Sequence, residues 1–399
     1  MANSNLSAAK TAKQDEFYTQ WADIEREMNA YLEYDPDVFR GKTILLPCDD
    51  PEWSNFSKFF ALRFTDFGLK KLISTSYAPE SNAGGAFYTP TLFDDPQFDE
   101  SKDATHGKIF TLTPEDISGD GRVDIDDLQW DYLEGDGDFR SAEVTALRNE
   151  ADMVITNPPF SLFREFIAWL VESDVQFSVI GSNNAPTTKE IFPLFRDNRL
   201  WKGATANSTD MVFEVPDGVE IKDADRLKAE RMGYKGNYTR LGNSCWFTNI
   251  EHGRRHEALQ LMTVADNTKF SRHKDIQGFG YQRYDNFDAI EIGYADAIPS
   301  DFAGTMGVPI SYLDRHNPDQ FEIVGITKTW FGAATKTYPQ QTQVGKDGKR
   351  SKVGKLNDGA VLAIDEPLDS KTYYEVDGQL YRQTFPRILI RHRISEPKG

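Results

Sequence analysis

The chain has 399 residues, 39% hydrophobic and 13% aromatic, which is apolar material for two or three packed domains and excludes global disorder. Its 45 Lys and Arg against 63 Asp and Glu give a formal charge of −18, which taken as a total opposes a polyanionic partner. With only Cys48 and Cys245 there is no disulfide framework or Cys-rich zinc site. With no apolar run near the ~20 residues of a membrane span, and a polar start from Met1 to Lys13, a soluble cytoplasmic protein with no membrane partner is expected.

Phe17, Trp21, Ile24, Met28, Tyr31 and Leu32 recur every three to four residues and predict a helix over 15–34. A short buried strand follows at Thr43–Leu46 and closes on the polar turn Pro47-Cys48-Asp49-Asp50-Pro51. The stretch SNFSKFFALRF has helical period, with Ser54 or Asn55 as N-cap. LKKLISTSY reads as a second strand. Asp94 to Asp138 then holds 15 acidic residues against three basic ones, so −12 of the −18 sits in what reads as an acidic insertion. After it, ADMVITNPPFSLFREFIAWLVES reads as strand, Pro-Pro turn and an amphipathic helix from about Ser161, and VQFSVIGSNN as another buried strand. Strands alternating with helices predict a doubly wound, Rossmann-like α/β sheet, with ligands at the carboxyl ends of its strands. Beyond about Asn198, short strand-like runs between Gly, Asn and Asp turns predict a β-rich C-terminal region. Within it, Lys328 to Leu356 carries seven Lys and Arg against the single Asp347.

The most specific chemical signal is Asn157-Pro158-Pro159-Phe160. Two prolines after a strand end its ladder and fix the backbone. The Asn157 side-chain oxygen and the Pro158 carbonyl then form a pair of acceptors for an exocyclic amine, and Phe160 offers a stacking face to a planar base. This motif resembles the catalytic turn of amino-group methyltransferases that use S-adenosylmethionine, above all the adenine-N6 enzymes of DNA. KQDEFYTQW, LLPCDDPEWSNF and GDGDF resemble their cofactor motifs, and with the Cys-Asp-Asp-Pro turn the chain is similar to the EcoRI-type adenine DNA methyltransferase family. The likeness covers about residues 13–75 and 133–200 best.

That resemblance implies methyl transfer from S-adenosylmethionine to adenine N6 in double-stranded DNA, by base flipping and in-line attack. It implies catalytic Asn157, Pro158, Pro159 and Phe160. The cofactor would be met by Lys13, Asp15, Glu16, Phe17, Tyr18, Thr19, Pro47, Cys48, Asp49, Asp50, Asn55, Asp138 and Phe139. Two departures stand out. The first-strand loop is not Gly-rich, so Asp49 or Asp50 is expected to accept from the cofactor's ammonium and Asn55 to serve its carboxylate. The second strand ends in Ser and Thr where relatives place an acid for the ribose. The order of motifs implies a C-terminal target-recognition region, with the flanking duplex bound by Lys346, Lys349, Arg350, Lys352 and Lys355.

The acidic insertion also fits a calcium-loop template, with Asp116, Ser118, Asp120, Asp124 and Asp127 as oxygen ligands for a structural calcium. The expected division is 1–93 and 133–200 for the catalytic domain, 94–132 for the insertion and 201–399 for target recognition. The expected assembly is a monomer, with a cognate restriction endonuclease that does not bind stably. The rival activities are cytosine-N4 or other planar-amine transfer, and an acidic DNA mimic with no enzymatic role.

Overall fold

A computed structural model describes residues 18–52, 54–78, 98–116, 129–205, 211–215, 221–240, 243–369 and 371–393. Among these residues the chain is mixed α/β with four sheets, and it divides into two compact units. One unit comprises residues 1–183 and 200–253, the other 184–199 and 254–399.

The first unit is built on an eight-stranded sheet. Its strands are β2 (Thr43–Leu46), β3 (Lys71–Thr75), β4 (Lys108–Leu112), β5 (Trp130–Tyr132), β6 (Met153–Thr156), β7 (Gln176–Ser182), β8 (Trp201–Lys202) and β11 (Ser244–Thr248), in the order β5-β4-β3-β2-β6-β7-β11-β8. The four central strands β3, β2, β6 and β7 are mutually parallel, and β2 and β6 are buried along their whole length. Strands buried on both faces read as continuous apolar runs, which is why TILL and MVIT were legible. The edges differ from the expected parallel sheet: β4, β5 and β11 each run antiparallel to a neighbour. In β4 and β11 polar residues interrupt the apolar ones, as in KIFTL and SCWFT, so the segments do not read as continuous runs.

A small antiparallel sheet joins β1 (Tyr18–Thr19), β9 (Val212–Glu214) and β10 (Tyr238–Arg240). Residues 201–253 thus supply strands to both sheets of this unit, so the expected boundary at 200/201 moves to 253/254. The cause is pairing: β11 completes a five-residue register with β7, and β8 then pairs with β11.

Helix α1 (Trp21–Tyr34) follows the predicted stripe, burying Ile24, Met28 and Tyr31, but Glu27 is buried with them. The Glu27 carboxylate accepts from the backbone N–H groups of Ala204 and Thr205 at 2.8 Å each, from the Thr205 hydroxyl at 2.6 Å and from Tyr31 Oη at 2.7 Å. A charge can be buried only if it is so satisfied. The approach is close enough that a Cβ on Gly203 would lie 2.2 Å from Glu27 Oε1, so glycine is required there. Helices α2 (Asn55–Leu62), α3 (Ala142–Glu150) and α4 (Phe163–Glu172) complete the scaffold. Ser54 is the α2 N-cap, its hydroxyl accepting from Phe56 N at 3.0 Å.

The second unit contains a four-stranded sheet, β12 (Ile290–Glu291), β13 (Met306–Pro309), β20 (Arg387–His392) and β14 (Phe321–Ile326) in that order. Its other sheet has five strands: β16 (Arg350–Val353), β15 (Gln341–Val344), β18 (Tyr373–Val376), β19 (Gln379–Gln383) and β17 (Val361–Ile364). Among the described residues no helix is long and apolar enough to cross a membrane.

Glu27→Ala is expected to lower stability by roughly 3 kcal/mol in urea denaturation, because four donors, the Tyr31 hydroxyl fully buried and three part-buried, lose their acceptor, whereas Glu27→Gln keeps one side-chain oxygen and loses less. Equal losses for the two variants would contradict this account of the helix.

Candidate active site

The parallel core places its carboxyl ends on one edge. Because β4 pairs Ile109 with Thr75 and β5 pairs Tyr132 with Lys108, the start of β4 and the end of β5 reach the same edge. The start of β11 arrives there too, with Ser244 opposite Ser182. One edge of one sheet therefore gathers the turn after β2, the end of β3, the Gly135–Phe139 turn after β5 and the Asn157–Phe160 turn after β6. Such an edge is where open α/β sheets bind ligands.

The turn after β2 is organised by Asp49, which is buried. Its Oδ1 accepts from Ser54 Oγ at 2.6 Å and its Oδ2 from Thr156 Oγ1 at 2.5 Å. Its backbone N–H donates to the Thr75 carbonyl at 3.0 Å, and its own carbonyl accepts from Ser74 Oγ at 2.6 Å. One residue thus joins the ends of β2, β3 and β6 and the cap of α2. Burial pushes its carboxyl up to about 7, aided by the Asp50 charge and opposed by the Ser54 and Thr156 hydrogen bonds. With both oxygens engaged by protein hydroxyls, Asp49 is a strut, a role its turn-like context did not announce. Asp50 is half-buried, and its Oδ1 accepts from Glu52 N at 2.8 Å. Cys48 and Pro47 lie in the same turn, Cys48 half-buried and Pro47 buried.

Asn55 was expected at the cofactor's carboxylate. Its amide nitrogen donates instead to the Thr19 carbonyl at 2.8 Å, tying β1 to the start of α2. That contact brings Tyr18 and Thr19 of the N-terminal motif to the loop. Lys13, Asp15, Glu16 and Phe17 lie outside the described residues.

The Gly135–Phe139 turn docks on the end of β3: the Ala78 N–H donates to the Asp136 carbonyl at 2.8 Å. At Gly137, with φ +79°, a Cβ would stand 2.1 Å from the Ser76 carbonyl oxygen, so only glycine permits the contact. Asp138 was expected to meet the cofactor, but its carboxylate is gripped by Arg140, with Nη2 to Oδ2 at 2.6 Å. Burial works upward on Asp138, yet the Arg140 hydrogen bonds and charge hold it below its ordinary value. Phe139 is core: its ring centroid lies 4.9 Å from Phe166 and 5.5 Å from Trp169, both edge-on. The residue expected to meet the cofactor thus packs its ring among the aromatic side chains of α4.

In the Asn157–Phe160 turn, Asn157 is half-buried with its side-chain oxygen enclosed, and Pro158 is buried. Pro159 is extended, with φ −54° and ψ 125°, and its carbonyl accepts from Leu162 N at 3.0 Å, opening a short 3₁₀ turn over Phe160–Leu162 before α4. Phe160 is half-buried, and its ring meets Phe213 of β9 edge-on at 6.4 Å. The sequence pattern had not linked Phe213 to this turn, because β9 lies far along the chain and pairs through β1.

Two buried hydroxyls, Thr19 Oγ1 and Thr75 Oγ1, have no hydrogen-bond partner. Unused polar groups are rare in a protein interior and call for a partner from outside the chain, such as water, an ion or a ligand. They flank the Asp49 turn, so the residues fit a polar, hydroxyl-bearing cofactor. Lys108 was also missed. Its Nζ meets Glu52 Oε2 at 2.5 Å and lies 4.2 Å from the centre of the Trp130 ring. Burial opposes its charge, but the Glu52 hydrogen bond and the charges of Asp50, Glu52 and Asp103 hold it above its ordinary value.

Of the calcium-loop residues, Ser118, Asp120, Asp124 and Asp127 lie outside the described residues. Asp116 caps its own turn, accepting from Thr113 N at 2.8 Å and Thr113 Oγ1 at 2.7 Å. No group of three or more His, Cys, Asp and Glu poised for a metal occurs among the described residues.

The expected DNA-contacting cations lie in the second unit. Lys346 and Lys349 sit in the turn between β15 and β16, Arg350 and Lys352 on edge strand β16, and Lys355 in the turn beyond. Several cations of this stretch are matched: Arg350 pairs with Glu375, Lys349 with Asp347 at 3.3 Å, Lys336 with Asp285 at 2.6 Å and Lys328 with Asp358 at 3.5 Å. The local excess of positive charge read along the chain is therefore smaller in space.

The family described as Adenine-specific methyltransferase EcoRI matches residues 5–393. The Type II methyltransferase M.EcoRI of Escherichia coli is 37% identical over 327 residues, 82% of this chain and 90% of that protein. M.MpnI of Mycoplasma pneumoniae, also a Type II methyltransferase, is 33% identical over 319 residues, 80% of this chain and 84% of its own. Type II methyltransferase M.MgeORF184P of Mycoplasma genitalium is 33% identical over 322 residues, 80% of this chain and 85% of its own. No solved structure matches the chain. A match along nearly its whole length, around a sheet edge that joins the Asn-Pro-Pro-Phe turn to the Asp49 turn, makes this chain a member of the EcoRI adenine-specific methyltransferase family.

Proposed function

We propose that the chain transfers a methyl group from S-adenosylmethionine to the N6 amine of adenine in duplex DNA, acting as a monomer on one flipped base per visit. The observation that carries this reading is the Thr156–Asp49 hydrogen bond at 2.5 Å, which ties the Asn157–Phe160 turn to the turn after β2. We take the eight-stranded sheet as a Rossmann-like catalytic sheet and the second unit as the source of target recognition.

S-adenosylmethionine supplies an electrophilic methyl on a positively charged sulfur. The chain's residues hold it along the sheet edge. With Asp49 engaged by Ser54 and Thr156, the ammonium contact falls to Asp50. Thr75, at the end of β3, offers its unused hydroxyl toward the ribose end, where relatives place an acid. Thr19 sits beside the same loop through Asn55.

Asn157 Oδ1 and the Pro158 carbonyl accept from the adenine amine and turn its lone pair toward the methyl carbon. The N6–C bond forms as the C–S bond breaks, the sulfur keeps the electron pair, and the amine's surplus proton leaves to solvent after transfer. No strong base is needed, so positioning supplies the rate. Phe160, braced edge-on by Phe213, presents its other face to the extruded base.

Mass spectrometry of nucleosides from incubated DNA is expected to show N6-methyladenine, reduced on the order of 10²-fold or more in Asn157→Ala while cofactor binding persists. N4-methylcytosine as the product would replace this reading with the cytosine one. Thr156→Val should lower kcat/KM for the cofactor roughly tenfold, about one hydrogen bond, with Thr156→Ser near wild type. If valine and serine behave alike, the strut has no catalytic consequence.

The raised Asp49 pKa has a defined sign. The folded state holds this proton more tightly than the unfolded chain, so Asp49 contributes stability below about pH 4 that is lost as pH rises to about 7. Thermal melts from pH 5 to 8 should therefore show a smaller loss of stability for Asp49→Asn than for wild type. Parallel curves would place the titration elsewhere.

A further inference from the structure

Within the second unit lies an open cleft of about 720 Å³ whose charged lining residues are mostly cationic. Arg272, Lys274, Lys371 and Arg382 line it, against the single acid Asp275. The adjoining segment 365–369 is acid-rich, yet only Leu368 of that segment lines the cleft.

The four cations differ in how they are committed. Arg272 pairs with Asp296 at 2.8 Å, and Arg382 donates to Gln282 Oε1 at 3.0 Å. Lys274 and Lys371 are exposed, and neither makes an ion pair or hydrogen bond with the described residues. In the 328–355 stretch, by comparison, Lys328, Lys336, Lys349 and Arg350 have acidic partners, and Lys346, Lys352 and Lys355 make no ion pair among the described residues. Cations held apart from their own protein's acids remain available to an external anion.

The wall also carries a rigid aromatic plate. The His273 ring stacks on Tyr294 with centroids 3.6 Å apart and planes 4° from parallel, and His273 Nε2 is fixed by Asp296 at 3.0 Å. Beyond Arg272 and His273 a second hollow continues the surface, edged by Phe270, which is 60% exposed. Cations interleaved with exposed planar rings suit a sugar–phosphate backbone: the charges meet phosphates and the rings pack against sugar or base.

We propose that this cleft is a phosphate-backbone clamp for duplex DNA, with Lys274 and Lys371 as its primary contacts, separate from the β16 edge. The proposal rests on the reading of the chain as a DNA methyltransferase and adds a contact surface to it.

The test uses the full chain and a fluorescein-labelled duplex of a methylated sequence, titrated by anisotropy across a range of salt concentrations, with N6-methyladenine formation followed in parallel. Lys274→Gln with Lys371→Gln is expected to weaken binding to all duplex sequences alike. It should also lower the slope of log affinity against log salt by about two, one per lysine. The charge-preserving pair Lys274→Arg with Lys371→Arg should keep the wild-type slope. A glutamine double variant with unchanged affinity and slope overturns the clamp, even if methylation is normal. Absence of N6-methyladenine with the wild-type chain overturns the reading of function, while the salt slopes still decide the clamp.

Discussion

A single buried carboxylate organises the first unit. Asp49 takes the hydroxyl of Ser54 on one oxygen and that of Thr156 on the other, while its backbone bonds Thr75 and Ser74. Three adjacent parallel strands and one helix cap thereby end in one hydrogen-bond network. Such a group is costly to bury, and the cost shows in its raised affinity for a proton. The return is positional: the turn that carries Asn157 and the turn after β2 are tied together by one hydrogen bond.

The remainder of this sheet edge follows from sheet geometry. Parallel strands deliver their carboxyl ends to the same side, reversed strands β4 and β11 bring their starts there, and β5, antiparallel to β4, brings its end. Two glycine contacts then set distances that no other residue allows. Gly137 lets the acidic turn press on the Ser76 carbonyl, and Gly203 lets the β8 exit turn wrap the Glu27 carboxylate. In both places backbone meets a polar group directly, so the sheet edge is fixed by hydrogen bonds as much as by the apolar core beneath.

Charge shows how chain order and space diverge. Two-thirds of the −18 lies in one segment, so the total never opposed a DNA enzyme. The basic stretch at 328–355 looked like the obvious counterweight. In the folded second unit four of its seven cations find Asp285, Asp347, Asp358 and Glu375. Unmatched cations also occur elsewhere, at Lys274 and Lys371, where no run of like charge advertised them. An acidic mimic with no enzymatic role would have explained the net charge, but the family assignment overturns it.

By itself the sequence determined the parts whose signal is local. The buried strands TILL and MVIT, the helix that follows Asn-Pro-Pro-Phe, that motif itself and the family all follow from contiguous residues. Tertiary structure decided what depends on residues far apart in the chain. It made Asp49 a strut through Thr156, 107 residues away, and turned Asn55 toward Thr19. It moved Phe139 into the core and set Asp138 against Arg140. It also carried residues 201–253 into the first unit, because strand partners are chosen across the sheet and not along the chain. Residue type and spacing reveal which groups can do chemistry. Only the packed fold shows which of those groups are already bonded to each other, and so which remain for a ligand.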